Sequence, residues 1–157
     1  MIILGIDPGT TSIGYSVLEI HAKTPQFIDA GLLNITGSTD HEKLRETHEE
    51  VKRLIRVRKP DRMSIEKLFF ATNLKTAMAV SEARGVILLT AVLAGLTVYE
   101  YSPLAIKKAL TGDGKADKQA VQKMIRLTVK ETAILKARDD VFDAIAAALT
   151  CCYLERC

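Results

Sequence analysis

Met1-Ile2-Ile3-Leu4-Gly5-Ile6-Asp7-Pro8-Gly9-Thr10 opens the chain with an apolar run that ends in a carboxylate and breaks at once into a turn. Apolar character without polar alternation is expected of a strand buried on both faces. Pro8 and Gly9 stop it. Asp7 is therefore expected at the mouth of a sheet, held by a rigid strand end.

Two further stretches repeat the arrangement. Met63-Ser64-Ile65-Glu66 follows the break at Pro60-Asp61 and puts a second carboxylate at the end of a neighbouring strand. Asp139-Asp140-Val141-Phe142-Asp143 leads into the alanine-rich residues 144–149, which read as a helix, and the i, i+3 spacing places Asp140 and Asp143 on one face. Asp139 is expected to cap that helix, leaving the other two aspartates toward the sheet. Each acid alone has an ordinary explanation: Asp7 as a turn opener, Glu66 as a surface charge, and the aspartates near 140 as helix N-terminal charges. Their coincidence in one chain points instead to a split metal-ion nuclease site.

Carboxylates gathered this closely raise one another's pKa unless cations neutralise them. Hard oxygen donors on rigid elements suit Mg²⁺ or Mn²⁺. Two such ions about 3.5 to 4 Å apart activate water and stabilise the leaving oxygen in phosphodiester hydrolysis. Asp7, Glu66, Asp140 and Asp143 are thus expected as both catalytic residues and metal ligands.

The rest of the chain reads as strands first and helices later. Residues 13–20 and 27–35 read as strands, forming an antiparallel meander with the first strand. Residues 41–59 read as a charged helix with Leu44, Val51, Leu54 and Ile55 inward. Lys52, Arg53, Arg56, Arg58 and Lys59 read as a solvated face, with DNA contact the lesser alternative. Residues 73–94 read as a long helix whose second half is apolar all round. Such a helix is buried on more than one side, against its own sheet and against either a second copy or another part of the same chain. A strand over 96–101, a short helix from Pro103 to 110 and a helix over 117–129 follow. Thr111-Gly112-Asp113-Gly114-Lys115 reads as a flexible loop, its glycines admitting a phosphate and Lys115 neutralising it, or else as a solvated surface loop.

Composition agrees with one compact nuclease domain over residues 1–157. Of its residues 48% are hydrophobic and 5% aromatic, enough for an aliphatic core. The net charge of +3 is modest, but residues 104–130 carry seven basic side chains against Asp113 and Asp117, a rim suited to a phosphate backbone. No basic region precedes the first apolar run, and residues 86–98 are short for a membrane span, so a soluble cytoplasmic protein is expected. Cys151, Cys152 and Cys157 lack metal-site spacing and read as packing residues and a loose terminal thiol in a reducing compartment. His21, His41 and His48 read as surface residues. Phe69 and Phe70 cannot both point into one sheet face, which leaves one able to stack on an unpaired base.

Gly5-Ile6-Asp7-Pro8-Gly9-Thr10, Ile65-Glu66-Lys67-Leu68-Phe69-Phe70 with Asn73, Ala83-Arg84-Gly85 and Asp140-Val141-Phe142-Asp143-Ala144-Ile145-Ala146 resemble, in order, the motifs of the RuvC Holliday junction resolvases. The resemblance implies a ribonuclease H-like α/β fold, a five-stranded mixed sheet flanked by helices, with Asp7, Glu66, Asp140 and Asp143 meeting at the active site. It implies a homodimer that nicks opposed strands of four-way junction DNA symmetrically, with Phe69 as the stacking aromatic and Lys107 and Lys118 as basic residues serving catalysis or DNA binding. A branch-migration complex of the RuvA/RuvB type is a partner it leaves open. Lys67, where many relatives carry glutamine, and the bulky Val141-Phe142 pair bear on sequence preference more than on activity. Three rivals stand beside it: a ribonuclease H-like nuclease acting on RNA, a non-catalytic junction-binding module, and an ATP-binding protein of the actin and sugar-kinase type. The last needs a second domain for which this chain is too short.

Overall fold

Side chains along the first strand, β1 (Ile2–Asp7), alternate between two cores. Leu4 and Ile6 enter one, and Ile3 enters the other. The computed structural model describes residues 1–68 and 74–155. Within them β2 (Gly14–His21) and β3 (Thr24–Leu32) complete an antiparallel meander, while β4 (Arg62–Glu66) and β5 (Thr97–Tyr101) add in parallel on the other side of β1. The strand order is β3-β2-β1-β4-β5, a five-stranded mixed sheet. Parallel neighbours need crossovers, and helices supply them.

Helices α1 (Asp40–Arg58) and α2 (Leu74–Leu93) cover the face that receives Leu4, Ile6, Met63 and Ile65. Thr39 and Glu42 start α1 with a reciprocal capping box. Val51 and Leu54 point inward as expected, with Leu44 and Ile55 only half-buried. His48 departs from a surface role: it is half-buried and its Nδ1 lies 2.9 Å from Thr90 Oγ1 of α2, joining the two helices. On the opposite face lie α3 (Pro103–Thr111), α4 (Lys118–Thr128) and α5 (Asp139–Leu154). Fully buried Ile125, Ile145 and Leu149 anchor that layer, each contributing about 1.5 to 3 kcal/mol by burial.

Helix α5 lies unusually close to the sheet. Small residues on the central strands make room for it: a Cβ at Gly5 would collide with the Ala144 carbonyl, and one at Gly14 with the Asp140 carbonyl. Ser16 and Ser64 donate their hydroxyls to the carbonyls of Ala144 and Ala147, at 2.9 and 2.6 Å. The alanines of α5 present little side chain in return. The backbone at its N-terminal end is thereby fixed against β1, β2 and β4.

Several boundaries differ from the sequence reading. β3 begins at Thr24 because the hairpin closes over Ala22 and Lys23, both at positive φ, without the Gly, Asn or Asp that marks such a turn. It ends at Leu32 rather than at 35, and β5 begins at Thr97 rather than at 96. Arg138, not Asp139, is the N-cap of α5, and it makes no side-chain cap bond. Asp139 is the first helical residue and accepts from Gln122 Nε2 at 3.0 Å. In α2 only one stripe, Ala83, Ile87 and Ala91, enters the core, while Met78, Leu89, Val92 and Leu93 are exposed. Among the described residues the apolar circumference is therefore only partly absorbed. By length and composition alone Thr76–Leu93 is long and apolar enough to cross a membrane, a longer stretch than the sequence reading considered. Cys151 and Cys152 pack in the core on α5, and Cys157 lies outside the described residues.

Candidate active site

Parallel pairing of β1 with β4, in the register Ile6↔Ile65, brings their carboxyl ends side by side. Asp7 and Glu66 are the last residues of the two strands, and both follow a residue that faces the α1–α2 core. Strand alternation turns their side chains to the α5 face. There the first turns of α5 bring Asp140 and Asp143. The crevice beyond the carboxyl ends of parallel strands is the usual ligand position in open α/β sheets.

Burial does most to shift the strand-end acids, and charge from the other acids adds to it. Burial, then the charges of Asp143, Glu66 and Asp140, push the Asp7 pKa from 3.8 up to about 8, with Lys118 opposing. Burial and Asp143 raise Glu66 from 4.5 to about 7, with Lys118 and Lys107 opposing. Lys118, at the start of α4, donates to Asp143 Oδ2 at 3.0 Å and lies 3.5 Å from Asp139. Burial acts to lower the Lys118 pKa, but its bonds to Asp143 and Asp139 outweigh that and raise it.

Ser12 is a residue the sequence reading missed. The turn after Asp7 folds back so tightly that a Cβ at Gly9 would meet the Ser12 carbonyl, and Ser12 Oγ then donates to Asp140 Oδ2 at 2.6 Å. Arg138 Nε lies 3.4 Å from the same oxygen. Both contacts fall on Oδ2.

A cleft of about 200 Å³ opens beside the acids, lined by Glu66, Pro103, Ile106, Lys107, Lys118, Val121, Asp143 and Ala146. Two of the three expected basic residues therefore reach the site. Lys115 is exposed on the neighbouring turn and does not line the cleft. That turn is knit rather than loose. Thr111 Oγ1 donates to Lys107 O and accepts from Asp113 N, and Asp113 Oδ1 accepts from Lys115 N at 2.9 Å. Gly112 is the left-handed C-cap of α3, and Gly114 packs on Leu104, so both glycines have structural duties. Phe69, Phe70 and Asn73 lie outside the described residues.

Among the described residues no three acidic, histidine or cysteine side chains are gathered closely enough to hold an ion as they stand. The donor set nonetheless fits a hard divalent cation. It consists of carboxylates alone, on rigid elements, where burial and neighbouring acids penalise ionisation of Asp7 and Glu66 and Lys118 only partly offsets that penalty.

Fold and site together define a ribonuclease H-like α/β protein with an acidic cluster at its strand ends, a class of phosphodiester-cutting enzymes. The family model of the crossover junction endodeoxyribonuclease RuvC matches residues 3–151, and the chain belongs to that family of metal-dependent nucleases acting on DNA. A Roseiflexus crossover junction endodeoxyribonuclease RuvC is 43% identical over 147 residues, 93% of this chain and 87% of that protein. The protein of the same description from Halothermothrix orenii is 41% identical over 95% of this chain and 90% of its own length. Thermus thermophilus RuvC in complex with Holliday junction substrate is a structural relative with a TM-score of 0.89 and 29% identity, covering 99% of this chain and 95% of that one.

Proposed function

We propose that this chain, as a single nuclease domain, resolves four-way DNA junctions by paired hydrolytic nicks, with Asp7, Glu66, Asp140 and Asp143 as the ligands of two Mg²⁺ ions, Mn²⁺ serving as a substitute. The observation that carries this reading is the convergence of four acids from three elements, with Asp7 lifted to about 8 by burial and by the other three. Bound divalent ions would supply an activated water and stabilise the departing oxygen. Asp7, flanked by all three other acids, is the central ligand. Glu66 and Asp143 face the cleft, and Asp140 is oriented by Ser12. Lys107 and Lys118 line the same cleft and hold the phosphate backbone, with Lys115 contacting it further out.

Phe69 follows Glu66 by three residues and is proposed to stack on an unpaired base at the junction centre. A four-way junction with two-fold pseudosymmetry calls for two copies, and exposed Leu89, Val92 and Leu93 on α2 offer the apolar contact for a homodimer. A DNA substrate fits a cytoplasmic location, and a branch-migration complex of the RuvA/RuvB type is the partner class that would deliver junctions.

Cleavage of a mobile four-way junction with Mg²⁺, Mn²⁺ or EDTA tests the reading, with linear duplex and single-stranded RNA beside it. Paired nicks that require metal are expected, and Asp7→Asn is expected to bind the junction at near-normal affinity without cutting. Metal-dependent cutting by that variant would refute the ligand assignment. Binding without cutting by the wild type would indicate a junction-binding module, and preferential RNA cutting a different nuclease.

A further inference from the structure

Glu66 turns its carboxylate toward the α5 face of the sheet, while its main-chain carbonyl is gripped from the α2 face. Arg84 of α2 donates from Nε to Glu66 O at 3.3 Å, and its Nη2 forms an ion pair with Glu100 of β5. The Arg84 side chain is only 18% exposed. With Lys67, Leu68, Ser81 and Glu100 it lines a separate cavity of about 280 Å³.

We propose that Arg84 is a positioning residue for the cutting reaction, a two-point clamp from α2 that fixes the terminal peptide of β4 and with it the Glu66 carboxylate. The inference rests on the reading of Glu66 as a site carboxylate. Glu66 is the last residue of its strand, and the chain leaves the sheet beyond Lys67, whose N–H bonds Tyr101 O at 2.8 Å. A strand end of this kind frays unless its last carbonyl is held. The planar guanidinium fork satisfies that carbonyl and the Glu100 carboxylate together, which the point charge of a lysine does not. Its charge is matched by Glu100, and it sits on the side of the sheet away from Lys107 and Lys118. Arg84 therefore acts on the geometry of the site and not on the attraction of DNA.

The test compares wild type, Arg84→Met, the exchange Arg84→Glu with Glu100→Arg, and Glu66→Gln. Junction affinity is measured in EDTA, single-turnover cutting in Mg²⁺, and thermal midpoints throughout. Arg84→Met is expected to retain junction affinity within about twofold and to cut on the order of a hundredfold more slowly, the effect of a small misplacement of a reacting group. The exchange keeps an ion pair, yet residue 84 can no longer donate to the Glu66 carbonyl, so it is expected to recover thermal stability without recovering cutting. Should Arg84→Met fail to fold, the exchange decides alone. Wild-type cutting by Arg84→Met, or cutting restored by the exchange, overturns the proposal. Unimpaired cutting by Glu66→Gln overturns the carboxylate assignment itself. An inactive Glu66→Gln beside a fully active Arg84→Met sinks only the clamp.

Discussion

Lys118 at the start of α4 donates to Asp143 Oδ2 at 3.0 Å, so the chain seats a cation of its own among the carboxylates. Gln122, one turn further along α4, bonds Asp139 on the same helix as Asp143. Helix α4 is thus fastened to the N-terminal end of α5 by polar contacts, while buried Val121 and Ile125 hold its other face to the core.

Replacing Lys118 with Met is expected to slow junction cutting by at least about tenfold and to move its pH dependence toward alkaline values. The Lys118 charge lowers the pKa of both Asp7 and Glu66, so its loss raises them further and delays the ionised state that the proposed metal ligation needs to higher pH. A pH series of single-turnover cutting checks this. An unshifted profile would show that Lys118 serves only to hold DNA.

Stability should depend on pH through the same acids, in the opposite sense to an ordinary ion-paired carboxylate. Asp7 and Glu66 hold protons in the folded chain up to about 8 and about 7, but lose them near 3.8 and 4.5 when unfolded. Between those limits these two groups bind more protons in the folded state, so their contribution to stability is greatest below the lower values and declines as pH rises through the window. In EDTA, Asp7→Asn is therefore expected to melt above the wild type at pH 8 and close to it at pH 4. Each kcal/mol recovered shifts the midpoint by about 2 to 4 °C for a chain of this length. Mg²⁺ should raise the wild-type midpoint more at pH 8 than at pH 5. Equal midpoints for the two proteins across the range would show that burial and repulsion do not hold Asp7 protonated in the folded chain.

The strand-end acids were legible in the sequence because an apolar run that ends in a carboxylate states both a strand and where its polar end lies. The i, i+3 pair on α5 was legible for the same reason, since one periodicity fixes both side chains. What holds them was not. Gly5, Gly14, Ser16 and Ser64 lie on three different strands, and only the sheet register lines them up beneath α5. Ser12 reaches Asp140 across 128 positions of chain, and Arg84 reaches a main-chain carbonyl, which leaves no side-chain signal at its target. The three-residue error at the start of β3 has a local cause, a left-handed turn built from Ala22 and Lys23.

That turn gives a stability prediction separate from the chemistry. Lys23 sits at φ 68° and Ala22 at φ 48°, a conformation that costs an L side chain and suits glycine. Lys23→Gly is expected to stabilise the fold by up to about 1 kcal/mol, the relief of left-handed strain outweighing the added freedom of the unfolded chain. The hairpin lies at the end of the sheet where Ile20 meets Met1, opposite to Asp7, so junction cutting should be unchanged. Thermal denaturation with a parallel cutting assay checks both halves. A lower midpoint would mean that the unfolded-chain term dominates.

Gly5→Ala should damage stability and cutting together. The added methyl would overlap the Ala144 carbonyl and stand 2.6 Å from Ser16 Oγ and 2.9 Å from Ala148 Cβ, so α5 must lift from β1 to admit it. Overpacking of this kind costs about 1 to 3 kcal/mol where the core can give, and more where backbone must move. Lifting α5 also breaks the Ser16 bond to Ala144 O and displaces Asp140 and Asp143 from Asp7 and Glu66. Cutting should therefore fall even at temperatures where the variant is fully folded, while Ile3→Val, a trim in the same core layer, should lower the midpoint by a comparable amount or less and leave cutting nearly intact. Circular dichroism melts with single-turnover cutting well below both midpoints separate the two effects. A Gly5→Ala protein that cuts at the wild-type rate would show that the depth of α5 against the sheet does not set the geometry of the acids.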